Sequence, residues 1–441
     1  MTYSKQDLAF FQSKEIAPET IDLQISSLKK GFPFMKLTDP GTPRKGIIVL
    51  SEEKLKEYAL YYKNEKDVSP VKFVPASGAA SRMFKDVYSF IDTPSLQHPV
   101  VPTLREYASF AFGDAINKKF SSIATSSLDD LINIASFIVS EKGLNYGNSP
   151  KGLINFHKYG NGNRTAFEEH LVEAAKYATK RGVAKLHFTV SEEHLGAVQV
   201  LINSKIDGFE KDFGVTYQIT YSVQKTSTDT IAVDMNNEPF RNSDGSILFR
   251  PGGHGALIHN LNDIKDDLIF IKNIDNVVPD TIKVQTVEYK KALAGLLLET
   301  KNKVHSYIQD LSLEGLTEEK MLEIAVFALT TFGIKASSIE ELLVALNKPI
   351  RVCGMVKNQG EPGGGPFWTT NKEGQLSLQI VESSQIDTNS EEQQALVKKA
   401  THFNPVDLIC YTKDFAGQKF DLLDFIDPET GFISYKSRNG K

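Results

Sequence analysis

Cysteine is nearly absent from this chain. Its 441 residues hold two, Cys353 and Cys410, both in apolar surroundings. That is too few for a disulfide framework or for the paired cysteines of a zinc site, and buried thiols in a reducing compartment are the reading they support. A surplus of positive charge is missing as well: 50 Lys and Arg stand against 55 Asp and Glu, a formal net charge of −5. With no basic excess, nucleic acid is not an expected partner, and a phosphate-bearing small molecule has to be held by a local basic pocket. No apolar run approaches the length of a membrane span, and the start MTYSKQDLAFF has no apolar signal core. A cytoplasmic protein without membrane partners is expected. Internal repeats and low-complexity tracts are also lacking, and nothing in the pattern specifies an oligomeric state.

What is present suffices for a large core: 41% of residues are hydrophobic and 24% charged. The length allows two or three domains, or one large domain with insertions. Residues 1–35 read as one or two amphipathic helices broken at Ile16-Ala-Pro, with Ile21, Leu23, Ile25 and Leu28 as an apolar stripe. A short strand, Gly46 to Ser51, precedes a helix at EEKLKEYALYYKNE. VKFVPAS, from Val71, is the first strongly buried strand candidate, because its apolar run does not alternate. Residues 86–148 are mostly helical and read as an insertion. RTAFEEHLVEAAKYATKRG predicts a helix capped by Thr165, with Glu168 three residues on and Gly182 as its stop. KLHFTVS, TYQITYSVQ, DLIFIKNID and LSLQIVESSQ predict further strands, and 285–347 is helical again. Strand–helix alternation predicts an α/β sandwich, partly parallel. The expected division is an N-terminal extension over 1–66, an α/β core over 67–284 and 348–441, and a helical subdomain over 285–347. The chain stops at YKSRNGK soon after a strand-like segment, an ending that leaves room for an absent C-terminal portion.

Several short segments can carry chemistry. VKFVPASGAASRMFK runs from a strand into a small-residue turn ending on Arg82, where outward-facing N–H groups and the start of a helix suit an anion. Asp275 follows the strand LIFIKNI, and ligands in open α/β sheets gather beyond the carboxyl ends of the strands. One carboxylate there can hold Mg²⁺ beside substrate phosphates; a plain turn or helix cap at Asp275-Asn276 is the competing reading. PGGHG, residues 251–255, lets the backbone approach a flat ligand closely, with His254 as a hydrogen-bonding loop residue, or is simply a turn. Lys151 of PKG can neutralise charge in phosphoryl transfer, or be one more solvated lysine. Glu382 and Gln385 end a strand and suit sugar hydroxyls or ordinary solvent equally. GEPGGGPFW reads as a shaped loop with Phe367 and Trp368 at its tip, or as a hairpin anchored by buried aromatics.

In their order, ASGAASR (76–82), PKGL (150–153), TYSVQ (220–224), PGGHGAL (251–257), NIDN (273–276), LQIVESSQI (378–386) and FNPVDL (403–408) resemble the sugar-1-phosphate nucleotidyltransferase superfamily, most closely its UDP-sugar pyrophosphorylase branch. The whole chain is also similar to an uncharacterised bacterial family, catalogued as a domain of unknown function, within that superfamily. The resemblance implies a GT-A-like three-layer α/β/α sandwich with a mixed, mostly parallel sheet and helical insertions. It implies Mg²⁺-dependent joining of a nucleoside triphosphate, UTP favoured, to a sugar-1-phosphate with release of pyrophosphate. By position, Ser77, Gly78, Ala79 and Ala80 would wrap the triphosphate, with Arg82 on its phosphates and Lys151 on the transferring group. Gln224, Gly252, Gly253 and His254 would meet the base, Asp275 would hold Mg²⁺ with Asp407 as a second ligand, and Glu382 and Asn404 would touch the sugar. The chain departs from the family loop at two glycine places, now Ser77 and Ala80, and keeps only Gly78. It also inserts a long helical stretch before Lys151. A nucleotide or sugar-nucleotide binding protein on the same fold is the alternative; a glycosyltransferase of related fold ranks lower, for want of a DxD pair after a strand.

Overall fold

A computed structural model describes residues 3–120, 123, 125–361, 363–372 and 374–435. The apolar run PVKFVP forms strand β1 (Pro70–Pro75), buried along almost its whole length as its non-alternating pattern requires. Strand β2 (Val183–Val190) lies parallel to it, Lys72 opposite Leu186 and Pro75 opposite Thr189. Strand β3 (Thr216–Val223) continues parallel beyond β2, and β4 (Leu268–Lys272) flanks β1 on its other side. A two-residue strand, Thr179–Lys180, adds antiparallel to the start of β2, so the sheet is mixed. Helices α1 (Ala166–Tyr177), α2 (Glu192–Phe213) and α3 (Asp280–Leu311) accompany these strands, giving the mixed α/β architecture that the alternation predicts.

Helix α1 begins where its capping chemistry says it should. The Thr165 hydroxyl accepts from the Glu168 N–H at 3.3 Å, and the Glu168 carboxylate accepts from the Thr165 N–H at 2.8 Å. Its end differs from the expectation that Gly182 stops the helix. The last helical residue is Tyr177, and the Thr179 hydroxyl donates to the Ala174 carbonyl at 3.0 Å, satisfying the final turn. The chain then folds back through Arg181 and Gly182, at φ of 50° and 76°, as the turn of a tight hairpin. Gly182 supplies left-handed backbone to a hairpin, not to a helix end.

The chain folds into two compact units, one of Lys66–Val223 with Ile269–Lys291, the other of Met1–Glu65, Gln224–Leu268 and Ala292–Lys441. In the first, the helical stretch between β1 and Lys151 comprises Lys85–Asp92, Val101–Arg105, Gly113–Lys119 and Leu128–Val139. These helices share one core of Val87, Phe90, Leu104, Ile116, Leu131 and Ile138.

In the second unit, helices Lys5–Ser13 and Pro18–Lys30 separate at Ile16-Ala-Pro and pack Phe11, Ile21 and Ile25 against Ile231 and Ile247. Strand Gly365–Thr370 pairs antiparallel with both Lys36–Pro40 and Leu376–Val381. Of the two readings of GEPGGGPFW, the structure departs from the aromatic-tipped loop and is nearer the hairpin anchored by a buried aromatic. Phe367 lies inside that strand, buried beside Leu37 and Val381, and the Trp368 indole donates to the Lys45 carbonyl at 3.4 Å. The strand expected over Gly46 to Ser51 shrinks to Gly46–Ile47, leaving Ile48 and Val49 exposed. Among the described residues no helix is long and apolar enough to cross a membrane.

Candidate functional site

Strand β1 ends at Pro75, and the chain enters the 76–82 turn. The Ala76 N–H donates to the Thr189 carbonyl at 2.7 Å, fixing the turn to the end of β2. The Ala80 N–H donates to Ser149 and the Lys151 N–H donates to Gly78, both at 3.1 Å, so two segments far apart in sequence are stitched together. Gly78 and Ala79 are exposed and Ser77 half-buried, and a Cβ at Gly78 would meet nothing within 4 Å. Ala80 has another use: it is fully buried in the core of the helical stretch, where its methyl packs as a glycine could not. In PKG, Gly152 is forced by packing, since a Cβ there would stand 2.3 Å from the Phe167 ring on α1. Arg82 closes the short helical turn Ala80–Arg82, and its side chain lies outside the described atoms.

Strand β4 ends at the same rim. The Ile274 N–H donates to the Pro75 carbonyl at 3.1 Å, which sets Asp275 beside the turn that follows β1. There the Lys151 ammonium donates to the Asp275 carboxylate; the two side chains are 24% and 36% exposed. An ammonium and a carboxylate separated by more than a hundred positions thus share one half-open rim at the carboxyl ends of β1 and β4.

Beneath this rim lies a set of charges that sequence reasoning missed. Glu173 of α1, fully buried, accepts from Lys72 of β1 at 2.6 Å, Lys272 of β4 at 2.8 Å and the Tyr177 hydroxyl at 2.8 Å. Burial works to raise the Glu173 carboxyl, but Lys72 and Lys272 outweigh it and hold the group well below its usual range. Burial pushes Lys72 down to about 7 against the opposing pull of Glu173. Lys290 of α3, buried over the Tyr177 ring, is likewise lowered by burial and then by Lys272. One helical position before His170, Glu169 accepts from His157 at 2.9 Å, Tyr159 at 2.5 Å and Lys283. The sequence holds a partial signal: EEHLVE places Glu169, His170 and Glu173 on one helical face, and single lysines interrupt the apolar strands VKFVP and LIFIK without naming their partner. Removing one partner of such a buried ion pair costs about 3–5 kcal/mol.

The other candidate residues belong to the second unit, in two groups. Gln224 donates through Nε2 to the Gly252 carbonyl at 3.2 Å and the Thr228 hydroxyl at 3.4 Å, so the residue after β3 and the PGGHG loop do meet. Gly252 is required there, because a Cβ would come within 2.6 Å of the Thr228 carbonyl. Gly253 lies open and exposed ahead of the short turn His254–Leu257, and the His254 side chain lies outside the described atoms.

The second group surrounds Gly364. Its carbonyl accepts from the Asn404 N–H at 2.9 Å, and a Cβ on it would stand 3.4 Å from the Glu382 carboxylate. The buried Asn404 side chain is taken up by backbone, donating to Gly354 at 2.7 Å and Asp407 at 3.1 Å and accepting from the Val406 N–H at 2.9 Å. Glu382 is exposed and caps a short turn with Gln385, which accepts from the Glu382 N–H at 3.0 Å. Asp407 opens the strand Asp407–Tyr411, antiparallel to Ile350–Cys353.

Among the described residues no group of three or more His, Cys, Asp or Glu is gathered to hold a metal ion. Asp275 is a lone carboxylate, a donor set that fits Mg²⁺ only where substrate phosphates supply the remaining ligands. A family model described as a domain of unknown function (DUF4301) matches residues 4–441, and the chain belongs to that family. No curated protein matches the chain.

Proposed function

We propose that the protein is a Mg²⁺-dependent nucleotidyltransferase that joins a nucleoside triphosphate, UTP favoured, to a sugar-1-phosphate. The fold would then be the GT-A-like three-layer sandwich of that superfamily. The observation that carries the reading is the meeting of Lys151 and Asp275 at the carboxyl rim of β1 and β4, against a small-residue turn stitched to the lysine's own segment. An oxygen of the sugar phosphate attacks the α-phosphorus; the new oxygen–phosphorus bond forms as the bond to the pyrophosphate oxygen breaks, and the electron pair leaves with pyrophosphate. No protein nucleophile is needed, because a phosphate monoester is already an oxyanion. The protein's part is position and neutralisation of charge. Lys151 exchanges Asp275 for a phosphate oxygen, the exposed backbone at Gly78 and Ala79 lines the triphosphate, and Arg82 adds a second cation. Asp275, freed from Lys151, would hold Mg²⁺, whose chemistry is to neutralise the phosphate oxygens. In the second unit, Gln224 with the Gly252–His254 loop would meet the base and Glu382 the sugar, Asn404 would shape the sugar's surroundings through backbone, and Asp407 is the second metal ligand to test.

Pyrophosphate release measured with UTP, Mg²⁺ and a panel of sugar-1-phosphates tests this. Wild type is expected to turn over at least one sugar, Asp275→Ala to be inactive, and Lys151→Met to lose about 10²–10³ in kcat. An active wild type matched by Asp275→Ala would refute the assignment. The second reading, a binding protein without turnover, draws on the two lost glycine places: the Cβ of Ser77 narrows the turn's backbone freedom, and the Ala80 methyl is committed to the helical core. Saturable Mg²⁺·UTP binding with no pyrophosphate from any sugar would favour it.

A further inference from the structure

Ile274, the residue before Asp275, has both sides of its backbone held. Its N–H donates to the Pro75 carbonyl at 3.1 Å, at the end of β1. Its carbonyl pairs with Nε2 of His170 at 3.1 Å, and His170 lies on α1 with no exposed surface. Because a carbonyl only accepts, Nε2 carries the hydrogen and the ring is held in one tautomer. Its Nδ1 is buried and has no hydrogen-bond partner among the described residues. A buried polar atom left unmatched is costly, so the imidazole is not there for packing alone; a leucine would fill the space without that penalty. One turn further along the same helix, Glu173 grips Lys72 and Lys272, the strand residues just ahead of the two rim segments. Burial, and then Lys72, depress His170 well below its ordinary value, which keeps it a neutral donor beside the cations.

We propose that His170 is a positioning residue that, through the Ile274 carbonyl, sets the 273–276 turn and so aims the Asp275 carboxylate. This rests on the reading of Asp275 as the group that meets Mg²⁺·nucleotide. Groups hydrogen-bonded directly to a metal ligand typically change metal affinity about 10–100-fold when lost; a bond to the peptide before Asp275 would act in the same sense, through the backbone that carries the carboxylate. His170 touches neither substrate nor metal; it acts through the peptide it holds.

The full chain is compared as wild type, His170→Leu and His170→Gln, since a glutamine Nε2 reaches about as far as the imidazole Nε2 and still donates. Two readouts are taken: hydrogen exchange by mass spectrometry without ligand, and Mg²⁺·UTP affinity by calorimetry. His170→Leu is expected to speed exchange in the peptide covering 273–278 and to weaken Mg²⁺·UTP about 10-fold or more, with His170→Gln restoring both. Unchanged exchange at 273–278 in the leucine variant would overturn the proposal, as would local loosening with unaltered affinity, or a chain-wide change that glutamine fails to rescue. If wild type itself does not bind Mg²⁺·UTP, the nucleotide reading fails, and the exchange comparison alone decides whether His170 holds the turn.

Discussion

Asp7, buried in the first turn of the helix Lys5–Ser13, accepts from both terminal nitrogens of Arg241, at 2.9 and 3.0 Å. That guanidinium is the main cause that lowers the Asp7 carboxyl to about 2, with the Ser4 hydroxyl and N–H adding to it against burial. A depressed carboxyl stabilises the folded state above its ordinary value of 3.8, and the contribution disappears as the pH falls through about 2. Allowing for the half-exposed guanidinium, the tie contributes about 1 kcal/mol. Asp7→Asn should therefore be less stable than wild type at neutral pH by denaturant titration, with the difference vanishing as acid protonates Asp7; a constant difference at all pH values would contradict the assignment. The buried lysines teach the opposite lesson about legibility. Lys151 and Asp275 are legible because each follows or begins a recognisable segment. Lys72 and Lys272 are not, because one polar residue in an apolar strand carries no sign of its partner, and Glu173 is supplied from a helix about a hundred residues away.

Elements were readable where local chemistry decides them. Thr165 and Glu168 start α1 through reciprocal hydrogen bonds that need only neighbours in sequence. Its end was not readable, because Gly182 has the same left-handed backbone in a hairpin turn as in a helix stop, and only the pairing of Thr179–Lys180 with β2 distinguishes them. The sequence leaves Phe367 and Trp368 open between a loop tip and a hairpin anchor for a related reason: the glycines before them suggest a loop, and only cross-strand partners show them to be in a strand. Helical glycines give a paired prediction. A Cβ at Gly295 on α3 would stand 1.9 Å from the Tyr58 carbonyl, so Gly295→Ala should destabilise by about 1–3 kcal/mol despite alanine's better helix propensity. Gly196 on α2 has nothing within 4 Å, and Gly196→Ala should stabilise by up to about 1 kcal/mol. Thermal melts of the two variants that move the same way would count against this account of the packing.

Over the whole molecule, the segments on which the proposed nucleotidyltransferase reading draws divide between the two units. Residues 76–82, Lys151 and Asp275 lie in one; Gln224, the 251–255 loop, Glu382, Asn404 and Asp407 lie in the other. The proposed roles follow that division except at Asp407, a metal candidate among the base and sugar residues. A change at the proposed base contact should leave the metal requirement alone: Gln224→Ala is expected to raise KM for UTP and to flatten the preference over other triphosphates, with Mg²⁺ dependence intact. The central claim, that Asp275 and Lys151 form a Mg²⁺-dependent seat for a nucleoside triphosphate, is tested most directly by calorimetric titration of UTP with and without Mg²⁺ into wild type and Asp275→Ala. The account predicts saturable binding by wild type that requires Mg²⁺ and is lost in the variant. Binding that ignores both the metal and the substitution would contradict it.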